Sequence, residues 1–297
     1  MKIGYPCINR SINCTANNTF RLANYTQARL IDTVTKNLAC LQKILEFNIQ
    51  HNLLFFRISS DLIPFASHEI CDFDWPTYFK PQFQALGKLI KQANLRISMH
   101  PDQFVLINAL KPEIISRSIS ELAYHATILD LLELDHTAKI QIHVGGAYGD
   151  KISAMQRFSE NYHKLSAKIK ARLVIEHDDR LFSLQDCLTI HAQTKIPILF
   201  DFLHHACLNN QETMREAVIL ASETWQPTDG ILMTDYSSQA PKARLGKHSE
   251  SLDPLDFAKM LIETKGLDFD IMLEIKDKER SAIEALKVLD SNKLIAQ

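Results

Sequence analysis

The chain has 297 residues, of which 46% are hydrophobic and 23% are charged, and its formal net charge is −2. This length permits two ordinary domains or one large α/β barrel, and the composition is typical of a globular enzyme. The near-neutral charge excludes binding to nucleic acid through overall positive charge, so such binding would need a local basic face. No apolar run approaches the ~18 residues of a membrane span, and the first residues lack the regions of a signal peptide.

Short apolar runs rich in strand-forming residues alternate along the chain with longer stretches of helical pattern. The first helical stretch, residues 28–50, repeats apolar residues at intervals of three and four. Strands that alternate with helices predict a parallel sheet. The eight strand-like runs begin, in chain order, at Lys2, Leu53, Leu95, Lys139, Arg172, Ile196, Gly230 and Asp270.

Eight such repeats without a linker-like segment predict one domain over residues 1–297 with the α/β fold of a (β/α)8 TIM barrel. The alternative is an open doubly wound sheet. Against it, no glycine-rich dinucleotide fingerprint follows the first strand, and the whole chain has only eight glycines.

The six cysteines show no CxxC pair. We therefore expect buried or free thiols in a reducing compartment, no disulfide framework, and a cytoplasmic protein.

Six consecutive predicted strands, the third to the eighth, end on histidine, aspartate or glutamate. These residues are His100, His143, Glu176, Asp201 with His204, Asp235, and Glu274. In TIM barrels the C-terminal ends of the strands meet at the active site. Such carboxylates would repel one another when buried together, whereas divalent cations would pair with them and with the imidazoles. The pattern therefore predicts a metal centre.

The predicted ligands are nitrogen and oxygen atoms without cysteine, a set that suits Mn²⁺, with Zn²⁺ as the alternative. They are too many for one ion, so we expect two or three ions, with Glu176 as a bridge. Multi-metal centres of this kind typically catalyse phosphodiester hydrolysis.

Seven motifs spread over nearly the whole chain resemble those of the UV damage endonucleases. These are barrel enzymes that nick DNA immediately 5′ of a lesion, and they are relatives of the endonuclease-four type of apurinic-site nucleases. The motifs are "IGYPCIN", "FFRISSDLIPFASH", "RISMHPDQF", "IHVGGAYGDK", "LVIEHDD", "IPILFDFLHH" and "MLEIKDKE".

The resemblance implies a ligand set for each of three ions. The implied ligands are His100, His143 and Glu176 for the first, Glu176, Asp201, Asp235 and Glu274 for the second, and His204 and His248 for the third. His68 matches a family histidine in the active-site groove, so we expect a catalytic role for it beside Glu176 and Glu274.

The resemblance also implies damaged double-stranded DNA as the partner. The residues that match those probing the damaged duplex are Tyr5, Asn9, Gln103 and Phe104. Three basic residues, Lys242, Arg244 and Lys276, are candidate phosphate contacts, although ordinary solvated loop charge would explain them as well. We expect a monomer that does not bind membranes.

The chain departs from the family pattern on the seventh strand. Where a Lys-x-His pattern is expected, it has Met233 and Asp235, so we expect the third ion to be held more weakly. Asp102 stands where relatives tend to have glycine, and Phe104 where they often have tyrosine. Two other functions remain open: a divalent-metal sugar isomerase or epimerase, and a barrel that binds damaged DNA without cutting it.

Overall fold

The computed structural model describes residues 1–295 and shows a closed barrel of eight parallel strands in sequence order, which confirms the predicted TIM barrel. Each strand is only four or five residues long and almost entirely buried, as expected for a sheet covered by helices on its outer face. The strands are β1 (Ile3–Pro6), β2 (Phe55–Ile58), β3 (Arg96–Met99), β4 (Lys139–His143), β5 (Leu173–Glu176), β6 (Ile198–Asp201), β7 (Leu232–Tyr236) and β8 (Phe269–Leu273).

Helices follow each strand and form the outer layer. They are α1 (Gln27–Gln50), α2 (Trp75–Gln92), α3 (Pro112–Leu131), α4 (Lys151–Lys164), α5 (Ala167–Lys170), α6 (Leu184–Thr194), α7 (Phe202–Cys207), α8 (Met214–Ser222), α9 (Pro254–Glu263) and α10 (Glu279–Ile295). Several begin at an aspartate whose carboxylate accepts a backbone N–H of the first turn; Asp74, Asp150 and Asp253 do this for α2, α4 and α9. Residues 296 and 297, the end of the predicted domain, lie outside the described residues. No described helix has the length and apolar character that crossing a membrane requires.

Strand alternation decides which side chains point into the barrel. In β7 the Thr234 hydroxyl donates to the backbone of β8, and the Tyr236 hydroxyl donates to Asp256 of α9 at 2.6 Å. Both side chains are therefore on the outer side, and Met233 and Asp235 between them point inward. Met233 is fully buried and lies one inward position below Asp235. The last inward residue of each strand consequently faces the C-terminal mouth of the barrel.

The loop that follows β1 folds against α1 and is cross-linked to it. Cys14 of the loop forms a disulfide with Cys40 of α1, with their Cα atoms 5.8 Å apart. Beside this link, the Asn37 side chain of α1 accepts a hydrogen bond of 2.9 Å from the backbone N–H of Asn18. The prediction of six free thiols is therefore wrong for this pair. The two cysteines are 26 residues apart, and only the packing of the loop on α1 brings them together.

Replacing Cys14 and Cys40 with serine should lower the free energy of unfolding by about 2–4 kcal/mol, because the cross-link restricts the unfolded chain. Urea unfolding measures the loss. A dithiol reductant should destabilise the wild-type protein by a similar amount and leave the double variant unchanged, which provides the control. An unchanged wild-type midpoint after verified reduction of the bond would contradict the prediction.

Candidate metal centre

The mouth of the barrel collects the acidic and imidazole side chains that the sequence singles out. His143, Glu176 and Asp201 are the last residues of β4, β5 and β6, while His100 and Glu274 directly follow β3 and β8. Because all the strands run parallel in one closed barrel, these ends meet at the same rim.

Ligand atoms of the predicted residues form three groups, and within each group they lie no more than 4.8 Å apart. The groups are His100 with His143 and Glu176, Glu176 with Asp201 and His204, and Asp201 with Asp235 and Glu274. Adjacent groups share one carboxylate, first Glu176 and then Asp201. A carboxylate that is shared in this way can bridge two metal ions.

Glu176 presents its two oxygens to different partners. Oε2 lies 3.6 Å from Nε2 of His100 and 3.7 Å from Nε2 of His143, whereas Oε1 lies 3.1 Å from Nδ1 of His204. Burial raises the pKa of this carboxyl, but His143 and the other two imidazoles outweigh burial and hold the pKa well below its usual range. Glu176 is therefore an ionised carboxylate directed at two neighbouring cation positions.

His100 is held in a tautomer that suits a metal ligand. Its Nδ1 lies 2.6 Å from the carbonyl oxygen of Pro101 and donates to it. The lone pair is then on Nε2, the atom that faces Glu176. Fixing a ligating histidine through its other nitrogen is a common feature of metal sites.

Asp201 provides the clearest test of whether a cation fits. Its Oδ1 accepts a 2.7 Å hydrogen bond from the backbone N–H of His204, while Oδ2 is buried and has no hydrogen-bond partner. Burial raises the pKa of Asp201 to about 6. For His204, burial lowers the pKa, but Asp201 and Glu176 raise it to about 11. The imidazolium thus supplies positive charge that a divalent ion would provide instead, with release of the proton.

His177, which follows Glu176, is hydrogen-bonded to the backbone beneath the candidate ligands. Its Nε2 accepts a 3.0 Å hydrogen bond from the backbone N–H of Asp201. Burial lowers the pKa of His177 to about 3, so the ring stays neutral and can act as an acceptor. The ring joins the ends of β5 and β6 and thereby orients two of the candidate ligands.

A buried guanidinium, which is not among the predicted site residues, reaches the same mouth from β2. Nη2 of Arg57 lies 2.7 Å from both oxygens of Asp235, and Nη1 hydrogen-bonds to Oε1 of Glu274. Burial alone would lower the pKa of Arg57, but Asp235 and Glu274 raise it above its ordinary value. For Glu274, burial raises the pKa, and Arg57 outweighs this and lowers it to about 2.

Gln141 joins this guanidinium to the histidine-rich part of the mouth. Its amide nitrogen donates to Glu176 at 2.9 Å and to Asp235 at 2.7 Å, and its oxygen accepts from Arg57 at 2.7 Å. A signal for both residues was present in the sequence. Each is a polar residue at an inward position near the C-terminal end of a strand-like run.

The two remaining predicted histidines lie outside the three groups. Nδ1 of His248 donates to the carbonyl oxygen of Glu274 at 2.6 Å, which leaves its Nε2 available as a ligand. His68 is exposed and lines a cavity of about 940 Å³ together with Asp102, Phe104 and Glu121. Nδ1 of His68 accepts the backbone N–H of Ile70 at 3.0 Å, so Nε2 carries the proton in the neutral ring.

Of the four residues predicted to probe DNA, the structure exposes two and buries two. Gln103 and Phe104 are exposed on the loop after β3, and Phe104 has 75% of its surface accessible. Tyr5 is 0% exposed, and its hydroxyl donates to Asn48 of α1 and accepts from Asn9, which is 2% exposed. Tyr5 occupies an outward position of β1, so it packs under α1. Direct DNA contact by Tyr5 and Asn9 is therefore a wrong prediction for this conformation.

The predicted basic contacts lie on the rim. Lys242 and Arg244 are exposed in the loop after β7, and Arg244 is 3.8 Å from the carboxylate of Asp179. Lys276 is half-buried and pairs with Glu250. Of these three, Lys242 forms no ion pair within the described residues, and the exposed ion pairs of the other two are weak and readily exchanged.

Comparison with known proteins shows the family. The whole chain, residues 1–297, matches the family described as "UV-endonuclease UvdE". A UV DNA damage endonuclease of Clostridium perfringens is 40% identical over 291 residues, covering 97% of this chain and 71% of that protein. One of Bacillus thuringiensis subsp. konkukian is 36% identical over 266 residues, covering 89% of this chain and 84% of that protein.

Solved structures agree with this result. The structure titled "Crystal Structure of SacUVDE" superposes with a TM-score of 0.94 at 42% identity and covers 99% of both chains. A D-psicose 3-epimerase from Clostridium cellulolyticum superposes with a TM-score of 0.57 at 12% identity, covering 86% of this chain and 93% of the epimerase. The second similarity shows a shared fold alone. The family match over residues 1–297, the two relatives at 36–40% identity and the first structure show that the chain belongs to the UV-endonuclease UvdE family.

Proposed function

We propose that the protein nicks duplex DNA on the 5′ side of UV photoproducts and other helix-distorting lesions, and that the reaction depends on two or three divalent metal ions. Membership of the family supports a DNA repair endonuclease that acts on UV damage. The observation that carries the metal dependence is the position of Glu176, whose two carboxylate oxygens face separate imidazole groups in one barrel mouth.

Mn²⁺ is the ion that fits these donors best. The three groups contain imidazole nitrogens and carboxylate oxygens and no thiolate, and such ligands suit Mn²⁺, with Zn²⁺ as the alternative. The buried Oδ2 of Asp201, which accepts no hydrogen bond, is a place where a cation would relieve a desolvation cost.

Ions bound here would supply stabilisation of the charge that develops on the phosphodiester and would activate the attacking water. The protein itself fixes the carboxylates that would bind the ions. Glu176 stays ionised between the imidazoles, and Glu274 is fixed by Arg57 and by His248. We assign His68 to the substrate: its Nε2 proton is available to a phosphate oxygen, since Nδ1 already accepts from the backbone.

Recognition of damage is assigned to Gln103 and Phe104. Phe104 is 75% exposed, so its ring is free to contact a partner. A flat ring and an amide can enter a base stack that a lesion has weakened, because the lesion lowers the cost of unstacking. The ring lies four residues after the candidate ligand His100, so the DNA that it engages is close to the metal centre. Lys242, Arg244 and Lys276 would contact the flanking phosphates.

One chain supplies all of these residues, which supports action as a monomer. We place the activity in the cytoplasm of the cell that carries the damaged DNA. The sugar epimerase alternative would require a small polyol substrate, and the exposed Phe104 has no role in such a reaction.

Changing Glu176→Gln should reduce nicking of UV-irradiated duplex in Mn²⁺ by at least ~100-fold, because even partners that only orient metal ligands contribute 10–100-fold. The change preserves side-chain shape, so circular dichroism should remain that of the wild-type barrel. Glu160→Gln is the matched control, since Glu160 is an exposed residue of α4, and it should nick normally. Wild-type cleavage by the Glu176→Gln variant would refute the bridging role. Lesion-dependent binding by the wild-type protein without any nicking would refute the endonuclease assignment.

Changing Gln103→Ala together with Phe104→Ala should reduce the preference for damaged over intact duplex in competition binding, since stacking on an aromatic ring contributes ~1–3 kcal/mol per base. Bound Mn²⁺ should be unchanged. The control is Ile262→Ala, which removes a 67% exposed apolar side chain near the C-terminal end of α9. Retention of full discrimination by the double variant would show that another part of the surface recognises the lesion.

A further inference from the structure

The carboxylate of Asp235, one of the two β7 residues that differ from the expected Lys-x-His pattern, is already hydrogen-bonded within the protein. It is fully buried, and it lies beside Asp201 in the register between β6 and β7. Both of its oxygens accept from Nη2 of Arg57 at 2.7 Å, and Oδ2 also accepts from Gln141 at 2.7 Å. Asp201 differs in this respect, because its Oδ2 accepts no hydrogen bond and has only the imidazole of His204 at 3.7 Å.

Arg57 is buried, so only the groups in the barrel mouth can compensate its positive charge. Its side chain is 4% exposed, and it donates hydrogen bonds to Asp235, Glu274 and Gln141 in the mouth. A guanidinium remains protonated at any physiological pH. A metal ion bound to Asp235 would therefore have to displace the hydrogen bonds that already occupy both of its oxygens and would face the guanidinium at close range.

The formal charge of the mouth leads to the same conclusion. The three groups contain four carboxylates, those of Glu176, Asp201, Asp235 and Glu274. Arg57 offsets one of them, so three negative charges remain when the histidines are neutral. Two divalent ions would compensate these charges with little excess. A third would leave a strongly positive, buried centre before any DNA phosphate is bound.

We propose that Asp235 is the counterion of Arg57 and not a metal ligand, that Arg57 is a positioning residue for Glu274, and that the centre holds two tightly bound ions. This inference rests on the proposed metal dependence and refines it. The two ions bind in the two groups that share Glu176. In the group formed by Asp201, Asp235 and Glu274, the guanidinium of Arg57 takes the place of an ion. Gln141 links the two parts, because its amide nitrogen donates to both Glu176 and Asp235.

The number of bound Mn²⁺ ions tests this assignment without any nicking assay. Wild-type protein saturated with Mn²⁺, passed through a desalting column and analysed for metal should carry two ions. Asp235→Asn should still carry two, with affinity about tenfold weaker, because Arg57 loses its counterion and repels the ions. The matched change Asp201→Asn, on the neighbouring strand, should lose at least one ion.

The double variant Arg57→Gln/Asp235→Asn separates charge pairing from metal ligation. It removes both charges and keeps polar groups beside Gln141, so it should bind two ions with affinity closer to wild type than Asp235→Asn does. Such non-additivity is expected of residues that act as a pair. Arg57→Gln alone should be the least stable of the set in the presence of a chelator, and added Mn²⁺ should raise its thermal midpoint more than that of the wild type, because Asp235 becomes free to bind an ion.

Three results would overturn the proposal: a third tightly held ion in the wild-type protein, loss of an ion in Asp235→Asn, or loss of an ion in the double variant. Failure of Arg57→Gln to fold would support the pairing, provided that the double variant folds. A wild-type protein that binds no Mn²⁺ would overturn both this inference and the proposed metal dependence, whereas loss of an ion in Asp235→Asn alone would leave the proposed function intact.

Discussion

Compensation of buried negative charge at one end of the barrel is the constraint on which the rest of the site depends. Neighbouring parallel strands lie ~4.8 Å apart, so carboxylates at successive strand ends cannot avoid one another. Each carboxylate in this mouth has a positive or hydrogen-bonding neighbour. Imidazoles surround Glu176, His204 lies against Asp201, and Arg57 lies between Asp235 and Glu274. The barrel could not bury these groups so closely without such partners.

The groups that compensate these carboxylates are of two kinds, and each kind occupies one half of the barrel mouth. On β3 to β6 the compensating groups are imidazoles, which can give up a proton and offer a lone pair to a metal ion. On β2, β7 and β8 the compensating group is the guanidinium of Arg57, which can do neither. In the proposed centre, the imidazoles of the first half would exchange their protons for metal ions, and the guanidinium of the second half would orient Glu274.

The loop after β3 connects recognition with chemistry. It begins at His100, whose ring is fixed by the backbone of Pro101, and it exposes Phe104 four residues later. In the proposed function, a base stack engaged by Phe104 would therefore lie close to the candidate ligand His100. Tyr5 contributes differently: buried against Asn48, it fixes β1 to α1 and thereby supports the loop that the Cys14–Cys40 disulfide also anchors.

The sequence by itself determined the barrel and most of the candidate ligands. Eight alternations of strand and helix leave few other folds, and the end of a strand can be read from where an apolar run stops at residues such as Glu176. Only the tertiary structure decided the partner of Asp235, the link between Cys14 and Cys40, and the outward direction of Tyr5. Arg57 and Asp235 are 178 residues apart and meet across the barrel, and a shift of one residue along a strand exchanges inside for outside. Local patterns specify elements and their ends, whereas contacts across the barrel depend on register, tilt and closure, which arise only when all eight strands are assembled.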